Sequence, residues 1–165
     1  MYKVNDFVVY NSSGVYKIKD IKKEKDISNN EIEYYVLQPA FAQDSLTIKT
    51  PVTNSRVRIR KVINKEDVLS IIASMPEMKT IWIDDFKERN EIFKQALRSG
   101  DVEKWVRLVK SIYKEKQDKN EIGKKIRKTD EDIMKAAEKN INEEFALALN
   151  ISPDEVGPYI IEHIS

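Results

Sequence analysis

The apolar residues of this chain change their spacing once, near residue 63. That change limits the fold more than any motif does. Before it, they fall in short runs: Phe7–Tyr10, Val15–Lys22, Glu33–Leu37, Leu46–Thr50 and Val57–Ile63. Turn-forming stretches interrupt them at 28–30, 39–44 and 51–55. Val, Ile, Tyr and Thr fit a pleated, half-buried surface, so the pattern predicts five strands. Strands at this spacing make a small curled sheet or barrel. Asn11-Ser12-Ser13-Gly14 joins the first two with turn chemistry, and Gly14 can take a positive φ.

Beyond residue 63 the apolar residues recur every three or four positions, which predicts helices. Asn64 caps the first, which carries Val68, Leu69, Ile71 and Ile72 and must stop near Pro76. Trp82, Phe86, Phe93 and Leu97 line one face of a second, ended by Gly100. Asp101 caps a third bearing Val102, Trp105, Val106, Val109, Ile112 and Tyr113. Thr129-Asp130-Glu131-Asp132 opens a fourth, with carboxylates where the helix dipole favours them, ahead of Ile133, Ala137, Ile141, Phe145 and Ala148. Ser152-Pro153-Asp154-Glu155 is a capping box, and Gly157-Pro158 should kink or restart the last helix. The expected class is α+β: a β-barrel domain over residues 1–63, then an all-α domain of about five helices over 64–165.

With 165 residues, the chain is long enough for one medium domain or two small ones. No apolar run approaches a membrane span, and Met1–Asp6 lacks the apolar core of a signal peptide. There is no cysteine, which excludes disulfides and thiolate metal sites. Cytoplasmic residence is the expectation. The net charge of +1 hides blocks. Residues 87–128 hold 14 Lys/Arg against 7 Asp/Glu, and residues 129–165 hold 2 against 9. A basic block can bind phosphates with strong salt dependence. Alternatively, the two blocks face each other or stay solvated.

Catalytic constellations are missing. The one histidine, His163, lies two residues from the end, and the four glycines are too scattered for a phosphate loop. Capping accounts for Asp84-Asp85 and for Asp130-Glu131-Asp132. No catalytic residue, metal ligand or cofactor is therefore assigned, and the chain is not expected to be an enzyme.

Several segments, in order, resemble the CarD family of bacterial transcription regulators. Val8-Val9-Tyr10 with Gly14-Val15 resembles its first hairpin, and Tyr34-Tyr35-Val36-Leu37 its Tyr-x-Val-Leu strand. Leu46-Thr47-Ile48-Lys49-Thr50-Pro51 resembles a strand ending in Pro, and Val57-Arg58 to Val62 an Arg-containing last strand. Ser99-Gly100-Asp101-Val102 matches the family's Ser-Gly-Asp helix junction, and Glu143–Ala148 resembles the end of a late helix. The likeness implies a Tudor-like N-terminal domain, like that of transcription-repair coupling factors, that binds the β subunit of RNA polymerase. It also implies a helical domain that meets promoter DNA at the upstream edge of the melted region and stabilises the open complex. The protein would then be a monomer, associated with the nucleoid through polymerase.

Leu46, Thr47, Ile48, Lys49, Thr50 and Pro51 are the expected polymerase-binding residues, since an edge strand can extend another protein's sheet. The family's DNA-contacting Trp lies about fourteen residues before the Ser-Gly-Asp junction. That count lands on Phe86, with Trp82 one helical turn earlier. Either ring can act as an apolar wedge at an opened base step. Trp82 also shares a stripe with Phe86, Phe93 and Leu97, so core packing is an equal reading; Trp105 reads as core. Lys87, Arg89, Lys94, Lys124, Lys125, Arg127 and Lys128 are the candidate phosphate contacts, weak and not base-specific. The Lys124–Lys128 run reads equally as a solvated linker. A protein-binding adaptor with no DNA role is the alternative function, and the acidic residues 129–165 lean that way.

Overall fold

A computed structural model describes residues 1–11, 13–41, 46–53 and 59–164. The chain divides into two compact units, Met1–Val62 and Ile63–Ser165.

The first unit is a five-stranded antiparallel sheet. Its strands are β1 (Phe7–Tyr10), β2 (Gly14–Lys25), β3 (Glu31–Pro39), β4 (Ile48–Pro51) and β5 (Ile59–Lys61). Their spatial order is β4-β3-β2-β1-β5. The β1–β2 turn works as its residues require: Asn11 has φ 49° and Gly14 φ 115°, and Val9 pairs with Val15. Register slips between Ile18 and Asp20, an irregularity in the long ladder between β2 and β3. One face buries Val8, Tyr16, Ile18, Tyr35 and Leu37, with Tyr2, Tyr10, Ile21, Ile48, Val52 and Ile59 packed around them. The Tyr2 amide donates to the Tyr35 hydroxyl at 3.1 Å. Burial, reinforced by Tyr35, pushes the Tyr2 phenol above its usual pKa.

The expected closed barrel is not what the described residues form. β4 and β5 are opposite edges of the sheet, and no ladder joins them. The fourth strand also starts later than expected: Leu46 and Thr47 precede it, and Pro51 belongs to it. Ser12, residues 42–45, and residues 54–58 with Val57 and Arg58 lie outside the described residues.

The second unit is helical: α1 (Lys65–Ser74), α2 (Phe86–Arg98), α3 (Val102–Glu121), α4 (Lys128–Leu149) and α5 (Pro153–Ile164). Asn64, Asp85 and Asp101 each accept a backbone N–H from the first turn of the helix they precede. Such caps contribute about 1 kcal/mol apiece. Val68, Ile72, Phe93, Trp105, Ile112, Ala137, Ile141, Phe145 and Val156 form the buried interior. Trp105 is fully buried, and its indole N–H donates to the Leu97 carbonyl at 2.9 Å. Glu144 is also fully buried and accepts the Ile63 amide at 2.9 Å.

Two helical expectations change. α5 continues through Pro158 without restarting. Proline there removes one backbone hydrogen bond and crowds the preceding turn. The buried Val156 anchors that turn nonetheless. Trp82 is not on α2, which begins at Phe86 behind its Asp85 cap. Asp84 and Asp85 favour a cap over a continuing helix, so the chain before them is non-helical.

Candidate functional site

In the sheet unit, the expected polymerase-binding segment forms a sheet edge. β4 pairs only with β3 among the described residues, with Leu37 opposite Ile48, Val36 opposite Lys49 and Tyr35 opposite Thr50. Thr50 points inward and is buried, whereas Lys49 is exposed. Lys49 is not a free charge. Its ammonium meets the Glu24 carboxylate at 2.5 Å and lies 4.9 Å from the centre of the Tyr34 ring. Leu46, just before the strand, is a large apolar side chain with 75% of its surface exposed. Among the described residues no strand pairs with the outer edge of β4, which carries an oriented cation and an exposed leucine beside it; together these suit strand addition by a partner.

In the helical unit, the segment between α1 and α2 carries Trp82 and is tied down along its length. The Lys110 ammonium donates to the carbonyls of Met75, Pro76 and Met78 at 2.8, 3.2 and 2.6 Å. The Ile81 amide donates to Ser111 Oγ at 2.9 Å. Arg89 holds the backbone on the other side of Trp82: its Nη1 donates to the Ile83 and Asp84 carbonyls at 2.8 and 3.3 Å.

The other side of the Arg89 guanidinium grips Asp130 in a two-point pair. Nε donates to Oδ1 at 3.2 Å and Nη2 to Oδ2 at 2.9 Å. Arg89 is 4% exposed and Asp130 1%. Arg89 is therefore not available to a DNA phosphate, and that expectation is corrected. Three residues after Phe86 and four before Phe93, it lies on the inward face of α2, where a charge needs a partner.

Aromatic rings and guanidinium groups alternate here. The Arg89 guanidinium lies 4.3 Å from the Trp82 ring centre and 5.6 Å from that of Phe86. The Arg127 guanidinium lies 4.2 Å from Phe86, and the Lys119 ammonium 5.9 Å from Trp82. Trp82 also touches Phe93, with ring centres 6.0 Å apart. Both Trp82 and Phe86 are partly buried. Trp82 is thus neither a core residue like Trp105 nor a free wedge. Arg89, Phe93 and Lys119 pack around it, and part of its surface stays accessible.

Lys87, Lys94, Lys124, Lys125, Arg127 and Lys128 are all exposed. Arg127 precedes α4 and Lys128 begins it, so the basic run brackets the start of that helix near Phe86. The two charge blocks do face each other in part. Besides Arg89–Asp130, Lys116 pairs with Glu131 at 3.0 Å. That contact, with Lys135 adding to it, holds the Glu131 carboxyl below its usual pKa. Much of the acidic block is consumed internally: Glu143 pairs with Lys139 at 3.0 Å and Glu144 with the Ile63 amide.

Residues 2–63 match the family model described as the CarD-like/TRCF RID domain. The sheet unit is similar to a CarD-like RID domain. The match spans almost all of that unit and supports the CarD-like assignment. It implies interaction with RNA polymerase. Among the described residues no helix is long and apolar enough to cross a membrane. Nor is any group of three His, Cys, Asp or Glu side chains placed to hold a metal ion.

Sequence reasoning missed Asp130, which it assigned to the helix dipole. Its spacing carried the signal: Asp130 precedes Ile133 and Ala137 by three and seven positions, on the apolar stripe of α4. Arg89 breaks the stripe of α2 in the same way. Two opposite charges, each on an inward face, point to a buried pair.

Proposed function

We propose that this protein is a non-enzymatic transcription regulator. Its RID domain binds RNA polymerase through the β4 edge, and its helical unit holds promoter DNA at the upstream edge of the melted region. The observation that carries the DNA half is the partly exposed Trp82, backed by Arg89 and flanked by Phe86 and Arg127. A ring that is held in place yet keeps part of its surface accessible can stack on an unpaired base at the duplex edge. Exposed Lys124, Lys125, Arg127 and Lys128 supply phosphate contacts, with Arg127 set against Phe86. None presents the fixed two-point geometry that reads a base edge, so binding follows melting and shape more than sequence.

The adaptor reading, with no DNA role, drew on the acidic residues 129–165. It loses weight because Asp130, Glu131, Glu143 and Glu144 are occupied within the helical unit. The test is to assemble polymerase on a promoter with the full chain. The protein should co-purify with polymerase, lengthen the lifetime of the open complex and bind a pre-melted fork more tightly than closed duplex. Binding to polymerase with no effect on lifetime and no preference for the fork would restore the adaptor.

A further inference from the structure

We propose that Arg89 and Asp130 are positioning residues that set the attitude of Trp82 toward DNA. The inference rests on the reading of Trp82 as a DNA-contacting ring. The pair sits where apolar residues would serve folding at least as well, since a buried ion pair recovers little more than its own desolvation cost. What apolar residues could not do is pack against a neighbouring ring and also hold the backbone carbonyls beside it by directional hydrogen bonds. Arg89 does both. Its Nη1 binds the carbonyls of Ile83 and Asp84, the two residues directly after Trp82, and so fixes the backbone there. Its central carbon lies over the Trp82 ring, 4.3 Å from the ring centre. Asp130 holds the guanidinium from behind with both carboxylate oxygens. The fork can satisfy a carboxylate and two carbonyls in one plane only as arginine, because a lysine ammonium has neither the plane nor the spacing. The plane of Arg89 is thus set by α4 through Asp130 and passed to Trp82. Phe86 also lies against the guanidinium, with its ring centre 5.6 Å from the central carbon.

The test uses the full chain labelled with 5-fluorotryptophan, which gives one fluorine resonance each for Trp82 and Trp105. Trp105 is fully buried and reports the integrity of the fold. Arg89→Lys and Asp130→Asn are made, with Glu131→Gln as a control beside Asp130. Arg89→Lys and Asp130→Asn should each shift the Trp82 resonance and open that ring to a solvent quencher, with Trp105 unmoved; Glu131→Gln should move neither. On a promoter, Arg89→Lys should shorten the open-complex lifetime by the same factor as Trp82→Ala. Combining the two should shorten it no further, because coupled residues do not add. An unmoved Trp82 resonance in both variants overturns the proposal. So does a Trp105 resonance that moves as far as that of Trp82, which would make the pair a general staple of the fold. If the Trp82 resonance shifts alone while no variant, Trp82→Ala included, alters the lifetime, the positioning role stands and the DNA-contact reading fails.

Discussion

Trp82→Ala separates the structural share of this ring from the action on DNA proposed for it. Truncating a fully buried tryptophan costs about 3–5 kcal/mol. Trp82 is only partly buried, so roughly half of that, about 2 kcal/mol, is expected. Summing its contacts gives a similar figure. Stacking against Arg89 is worth about 1 kcal/mol and the contact with Phe93 about 1 kcal/mol. For a helical unit of this size, that lowers Tm by roughly 8–16 °C. The variant is therefore folded at temperatures well below that shifted transition, and promoter assays belong there. A base stacked on an aromatic ring contributes about 1–3 kcal/mol. Losing it should shorten the open-complex lifetime by about 5-fold to 150-fold. The assay follows decay of preformed open complexes after a competitor is added, with circular dichroism confirming the fold at the same temperature. Phe86→Ala runs in parallel and should have the smaller effect on lifetime, since the Arg127 guanidinium already lies over that ring. A folded Trp82→Ala protein with an unchanged lifetime refutes the reasoning. If only Phe86→Ala shortens the lifetime, the wedge is Phe86.

Replacing Lys124, Lys125, Arg127 and Lys128 together should weaken fork binding for every sequence and reduce the salt slope by up to about 3–4, measured by titration at several salt concentrations. An unchanged slope would make the run a solvated linker. Lys49→Glu should abolish polymerase pull-down, because it sets a second carboxylate beside Glu24 at the sheet edge. Its cost to stability should stay within about 1 kcal/mol, as for other exposed pairs, so a loss of binding with an intact melting curve is the expected result. Glu131 has a pKa lowered by Lys116, so its stabilising contribution is present at neutral pH and above the ordinary carboxylate value. It is lost as pH falls through the lowered value. Lys116→Met should raise the Glu131 carboxyl pKa in an NMR titration; no movement would mean the pair is not formed in solution.

The order of elements could be read from residue types because each is a local matter. β-Branched runs between turn residues became β1 to β5, and apolar residues at helical spacing behind Asn64 and Asp101 became α1 and α3. Gly14 and Gly100 hold the positive φ their turns require. Trp105, in the middle of a stripe, proved to be core. The limits of such reading lie where two local signals compete. Trp82 has helical spacing to Phe86, but the Asp84-Asp85 cap prevailed and placed it in the preceding segment. Closure of a barrel is likewise a matter of which strands meet, and β4 and β5 are separate edges of the sheet.

What only the tertiary structure decided is which charges are spent. Arg89 and Lys124 look alike in sequence, and both were candidate phosphate contacts. Packing turned Arg89 inward against Asp130, forty-one positions away, and left Lys124 in water. A long cationic side chain has no preference of its own between a phosphate and a carboxylate. Burial makes the choice, because a charge removed from water must find its partner inside the fold. The residue types therefore determined that a basic, aromatic region would exist in this chain, and the packing of α2 against α4 determined which of its charges stay exposed.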